Sequence, residues 1–160
     1  MRGAVVPGVL RALTMRSEME SSYELLDHTA DLGVRVTAPT LTGLVPPAVA
    51  GFYATLGRIV PQPDLAPSDD FTFEAAGDDP AVLLRDLLAE LLHRFDTRRQ
   101  VLTDALVSEF SATRLAVTGR LRPLDAARSA PAREVKAVTY HELGVRPVPG
   151  GYEATFIVDI

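Results

Sequence analysis

Apolar and polar positions change period several times along the chain. Tyr23 to Leu26 reads as a short strand that runs into a polar cluster, Asp27-His28-Thr29-Ala30-Asp31. From Leu32 to Thr37 apolar residues alternate with others. That is the pattern of a half-buried strand, because successive side chains leave a strand on opposite faces. Leu41, Leu44, Val45, Ala48, Val49, Phe52 and Leu56 then recur at helical spacing, with Thr40 placed to cap them. Pro46 and Pro47 fall inside that stripe. Proline costs about 3 kcal/mol in a helix interior but is tolerated in a first turn. The pattern therefore predicts a kink, or a helix that begins near Pro46.

A proline-rich loop follows from Pro61 to Pro67, and Asp70 to Ala76 reads as a strand. Asp79 and Pro80 make a strong helix start, a capping carboxylate followed by a residue with its φ already set. Val82, Leu83, Leu87, Leu91 and Phe95 share one face of that helix, widened by Leu84, Leu88 and Leu92. Further strands are expected at Val101 to Leu106, Glu109 to Gly119, Glu134 to Val148 (broken near Glu142) and Tyr152 to Ile160. Arg120 to Arg133 reads as a mobile loop rich in Pro, Ala and Arg. Two helices among many strands predict an α+β fold, a single domain with a mainly antiparallel sheet and two helices packed on one side.

Composition narrows the function. The 160 residues suit one core, and residues 23–160 read as the domain. Residues 1–22 read as a disordered or mis-annotated extension, with Met15 and Met19 as alternative starts and too short an apolar run for a signal peptide. Sixteen basic against 21 acidic residues leave a net charge of -5, so the chain has no general attraction for phosphate backbones. Aromatics are scarce at 6%, which argues against base stacking. RNA, if involved, is expected to be contacted mainly through a partner. There is no Cys, which excludes disulfides and thiolate zinc sites and fits a reducing, cytoplasmic setting. No apolar stretch approaches the ~20 residues of a membrane span.

Three places carry candidate chemistry. Asp27, His28 and Asp31 put two carboxylates and an imidazole within five residues. Carboxylate oxygens are what Ca²⁺ and Mg²⁺ prefer, although the same residues suit plain turn capping. At the chain end, Asp159 is followed by the α-carboxylate of Ile160, and two such groups repel unless a cation or donor lies between them. The third place is Glu134 to His141, read as one alternating strand. In that reading Lys136, Val138 and Tyr140 point one way, and Val135, Ala137, Thr139 and His141 the other. Lys136 could pair with the acidic cluster or reach a phosphate. His28 and His141 are the candidate general bases, and His93 on the leucine-rich helix reads as structural. Phosphate-cradling glycine loops, nucleophile elbows and paired-His zinc helices are all missing.

Taken together, Tyr23-Glu-Leu-Leu-Asp-His-Thr-Ala-Asp31, Gly77-Asp78-Asp79, Glu134-Val-Lys-Ala-Val-Thr-Tyr-His141 and the terminal Ile157-Val-Asp-Ile160 resemble the archease family over about Tyr23 to Ile160. The resemblance implies a non-enzymatic cofactor of the GTP-dependent RNA-splicing ligase of the RtcB type. Such a cofactor promotes guanylylation and repeated turnover of the ligase in tRNA splicing and RNA repair. It also implies a divalent metal, calcium first and magnesium as the alternative, held by Asp31, Asp159 and Ile160. Lys136 is implied in activation of the partner, with Asp27, His28 and His141 in support. Two departures from the family pattern, Pro46-Pro47 and the basic 120–133 loop, lie away from these residues. The rival readings are a metal-dependent phosphoesterase or nuclease, and a chaperone module for an RNA-modifying methyltransferase.

Overall fold

The period-2 segments become strands, and the two 3.6-period segments become helices, in a computed structural model that describes residues 19–27 and 30–160. The N-terminal pair is β1 (Ser22–Asp27) and β2 (Asp31–Ala38). Helix α1 (Val45–Leu56) follows a single 3-10 turn at Thr42–Leu44. Its two prolines occupy the first turn, so the helix starts there rather than kinking. The hydroxyl of Thr40 accepts from Gly43 N at 3.0 Å and closes the preceding turn. After β3 (Gly57–Arg58) and β4 (Asp69–Ala76), α2 (Pro80–Arg98) begins where expected. Asp79 Oδ1 accepts from Ala81 N at 2.9 Å, satisfying one of the open donors of the first turn.

The remaining strands are β5 (Gln100–Phe110), β6 (Arg114–Pro123), β7 (Ala130–Pro131), β8 (Ala137–Val138), β9 (Gly144–Val148) and β10 (Gly151–Asp159). Every pairing among them is antiparallel. A five-stranded sheet runs β1-β2-β10-β8, with β9 also on β10, and a three-stranded sheet runs β4-β6-β5. A short β3-β7 ribbon joins the C-terminal end of α1 to the 124–136 connection.

One continuous core holds both sheets. Helix α2 contributes Leu83, Leu84, Leu87, Leu88, Leu91, Leu92 and Phe95, and α1 contributes Val45, Val49, Phe52 and Leu56. The sheet answers with Val34, Val36, Ala154, Phe156 and Val158, all under 2% exposed. Each fully buried Leu, Val or Phe contributes roughly 1.5–3 kcal/mol. Tyr53 of α1 is buried beside them, and its hydroxyl accepts from Leu102 N at 2.9 Å on β5. Burial pushes that hydroxyl's pKa up to about 12, against the smaller opposing pull of the Leu102 hydrogen bond.

The structure corrects three expectations of detail. Strand β5 does not end at Leu106 but continues to Phe110, and the hairpin turn falls at 111–113. Two register irregularities in β5, with Asp104 at φ 54°, scramble the alternation that would have shown this. The 120–133 segment is not a loose loop. It begins as β6, buries Arg122 on the carbonyls of Asp64 and Ala66, and turns on Asp125 Oδ1, which accepts from Ala127 N and Arg128 N. It then returns to α1 through a hydrogen bond from Arg133 to Thr55 O. Finally, 134–141 is not one alternating strand. Only Ala137 and Val138 are strand, and Val135 and Val138, three apart, are both buried. This stretch lies on a sheet margin where only a few backbone bonds hold it, so strand alternation is not enforced. No described helix is long and apolar enough to cross a membrane.

Candidate functional site

Register decides which charged groups meet. In the β2-β10 ladder Leu32 faces Val158, and Asp31 faces Asp159 directly. Leu32 and Val158 are both in the core, so by alternation the two Asp residues stand on the outer face of the sheet. Both are half-buried, and Ile160 follows at the chain end, 39% exposed. Like charges directly opposite on a sheet are destabilising, by about 1 kcal/mol at water-like screening. Among the described residues, no cationic side chain pairs with either carboxylate.

The other margin of β10 brings in the third motif. Asp159 faces Ala137, and Lys136 N donates to Asp159 O at 2.8 Å. Thr139 N donates to Ile157 O at 2.9 Å, and its hydroxyl bonds the same carbonyl at 3.0 Å. The main chain of Lys136 is thereby strapped to the residue that carries one of the opposed carboxylates, while its side chain is exposed. Lys136 is also the only lysine in the chain; its other basic residues are all arginine. Lysine offers a compact ammonium that can release a proton, which arginine does not.

The supporting residues are spread more widely. Asp27 is placed opposite Leu32, on the helix-facing side, so it does not share a face with Asp31 and Asp159. His28 and Thr29 lie outside the described residues. His141 is exposed just past β8, its backbone N donating to the Thr139 hydroxyl at 3.2 Å. His93, read as structural, is exposed on the outer side of α2. Leucines suffice for that helix's packing.

Arg85, and its contact with Tyr140, escaped the sequence reading. Arg85 of α2 donates from Nε to Val138 O at 2.9 Å, and its guanidinium lies 4.4 Å from the centre of the Tyr140 ring. Arg85 was legible in one respect: it occupies the helical stripe of Ala81, Leu88 and Leu92, where a charge needs a reason. Beside the acidic pair, on the same face, a cleft of about 240 Å³ is lined by Leu26, Gly33, Arg35, Thr155 and Ile157, among others.

Among the described residues, no group of three or more His, Asp or Glu side chains converges. The side-chain donors that the row of Asp31 and Asp159 offers are two aspartates, both hard oxygens. That set suits Ca²⁺ or Mg²⁺ and does not suit a soft thiophilic ion.

The chain is an α+β domain that displays a half-buried acidic pair where its strands β2 and β10 meet. The profile of the archease protein family (MTH1598/TM1083) matches residues 23–160. The chain belongs to the archease family. It is 31% identical over 141 residues to protein archease of Methanopyrus kandleri, covering 86% of this chain and 99% of that protein. It is likewise 31% identical over 142 residues to protein archease of Pyrococcus furiosus, covering 86% and 98%. The solution structure of Methanobacterium thermoautotrophicum protein 1598 shares the fold with TM-score 0.60 and 24% identity, over 87% of this chain and 99% of that one. So does the crystal structure of an archease, described as a possible chaperone, from Thermotoga maritima, with TM-score 0.60 and 16% identity over 91% and 100%.

Proposed function

We propose that this protein is a cytoplasmic, metal-binding activator of an RtcB-type, GTP-dependent RNA-splicing ligase, and that it performs no catalysis itself. The observation that carries the reading is the direct opposition of Asp31 and Asp159, one residue from the chain-terminal carboxylate and without a cationic partner among the described residues. Such a cluster favours a hard divalent ion, and Asp31, Asp159 and Ile160 would hold it. Binding through one oxygen each, two side chains and one terminus supply about three of the six to eight oxygens Ca²⁺ takes. Water, or groups of the partner, would complete the shell. When bound, the ion supplies positive charge for phosphate oxygens. Lys136, whose main chain is bonded to Asp159, would bring its ammonium to stabilise charge developing on a phosphate during nucleotide transfer to the ligase. The same shortage of ligands disfavours a self-sufficient two-metal phosphoesterase or nuclease.

The test is ligase guanylylation with GTP and Mg²⁺, with and without this protein. The parent should raise rate and turnover, and Asp31→Ala should lose at least tenfold of the stimulation. Equal stimulation by Asp31→Ala removes the site from the mechanism. Extending the chain past Ile160 turns its carboxylate into an amide, and calcium affinity, read by calorimetry, should fall about tenfold, or about 1.4 kcal/mol.

A further inference from the structure

A cavity of about 500 Å³ opens between the end of α2 and the segment that follows β7. Its floor is apolar, formed by the buried Leu56, Phe95 and Val135. Arg99 lines it from the helix end and Arg133 from the opposite segment. Among the described residues neither pairs with a carboxylate, although the exposed Asp96 and Glu134 line the same cavity. The Arg99 guanidinium instead lies 4.7 Å from the centre of the Phe95 ring, and Arg133 donates to Thr55 O. A neutral partner positions each of them, so their charge is uncompensated and most of their N–H donors remain open.

Arg99 also holds a backbone position that usually goes to glycine. It ends α2 at φ 50° and ψ 43°, where a Cβ crowds the following carbonyl. Its main chain is fixed from both sides. Arg99 N donates to Phe95 O at 2.9 Å, and Leu124 N donates to Arg99 O at 2.7 Å. The helix dipole does not require this arginine, because Arg98 already places a cation in the last turn. Strain of this kind is retained where a side chain has a task, and here the side chain borders a cavity.

The walls indicate the class of ligand. Two guanidinium groups suit the oxygens of a phosphate. Arg58 on β3 and Arg128 before β7, both exposed and without an ion pair among the described residues, add positive charge around the same ribbon. Asp96 and Glu134 would repel a bare phosphate, but they accept from hydroxyl and amine donors. The apolar floor, with a guanidinium seated on its ring, suits a flat base. A ribonucleotide carries all three features, and the volume falls within the roughly 300–1,000 Å³ of small-molecule sites. We propose that this cavity binds a ribonucleotide, with its phosphate held by Arg99 and Arg133. The cavity shares no residue with the row of Asp31 and Asp159, and binding there needs neither the ion nor the ligase.

Calorimetric titration of the full, ion-free chain with GTP tests this. The parent should bind saturably at one site. Arg99→Gly should bind at least tenfold more weakly yet melt no lower than the parent, because glycine takes a positive φ without a crowded Cβ. Arg133→Gln should weaken binding to a similar degree. Arg114→Gln, which removes an equal charge from the three-stranded sheet, should leave binding unchanged. Inorganic phosphate should bind at least tenfold more weakly than GTP, and phosphate that matches GTP overturns the ribonucleotide assignment. A short RNA ending in a 3′-phosphate offers the same chemistry from a second source. Should it bind more tightly than GTP and lose that binding in Arg99→Gly, the cavity takes a strand end and not a free nucleotide. A parent that binds neither, or binding that Arg99→Gly leaves intact, overturns the site.

Discussion

The two sheets treat charge in opposite ways. On the three-stranded sheet every carboxylate has a donor beside it: Asp69 accepts from the Gln100 amide at 2.7 Å, and the others find guanidinium groups. Asp70 pairs with Arg120, Arg114 bridges Glu74 and Glu109 at 3.4 and 3.1 Å, and buried Arg122 holds Asp104 at 3.4 Å. The outer face of the five-stranded sheet starts the same way, with Arg35 beside Glu24 and Arg146 on Glu153. The pattern stops at the last row, where Asp31 and Asp159 oppose each other with no such partner. Arginine is not in short supply, since Arg58, Arg98, Arg99 and Arg128 make no ion pair among the described residues. One sheet is charge-balanced as a scaffold. The other keeps two opposed carboxylates without a cationic partner among the described residues, and that row is where the proposed ion would sit.

The largest expected effect tests whether the two regions are separable at all. Leu87 is fully buried on α2, which touches strands of both sheets. Leu87→Ala should lower stability by about 2–5 kcal/mol, and hydrogen exchange should show both sheets losing protection together. Protection that survives in one sheet alone would split the molecule into independent halves.

Next comes the joint at Tyr53, where α1 bonds to β5. Its folded hydroxyl keeps its proton up to about pH 12, whereas the unfolded group releases it near 10. Its contribution is therefore whole below about pH 10 and is lost as pH rises towards 12. Urea midpoints should fall through that window, and Tyr53→Phe should flatten the fall. The same substitution leaves Leu102 N–H buried without its acceptor, which costs about 1–3 kcal/mol at neutral pH.

The smallest effects sharpen the contrast in charge. Asp31→Asn should raise the ion-free melting temperature by relieving repulsion, a gain of up to about 1 kcal/mol, while calcium affinity falls at least tenfold. Arg114→Gln on the other sheet should lower stability by less than about 1 kcal/mol, as exposed pairs do. A loss of ion-free stability in Asp31→Asn would mean that the carboxylate already has a stabilising partner, and the comparison would fail.

The elements were legible where their signals are local. Asp79 and Pro80 start α2 as read, Leu83 to Phe95 face the core as read, and the prolines of α1 sit in a first turn. Strand β5 misled because its bulges break the period of two. The segment from Glu134 to His141 misled because hydrophobic alternation was read where no full ladder enforces it. The contact of Arg85 with Tyr140 went unseen because it joins a helix to a segment distant in sequence.

By itself, then, the sequence determined the α+β class, the presence of both helices with the start of α2 at Asp79-Pro80, and the residue types on which any hard-ion chemistry must draw. Only the tertiary structure decided that Asp31 faces Asp159 while Asp27 stands on the opposite side. A strand's register with a remote partner is set by how the whole core closes, and a slip of one residue would exchange the faces of every side chain along it.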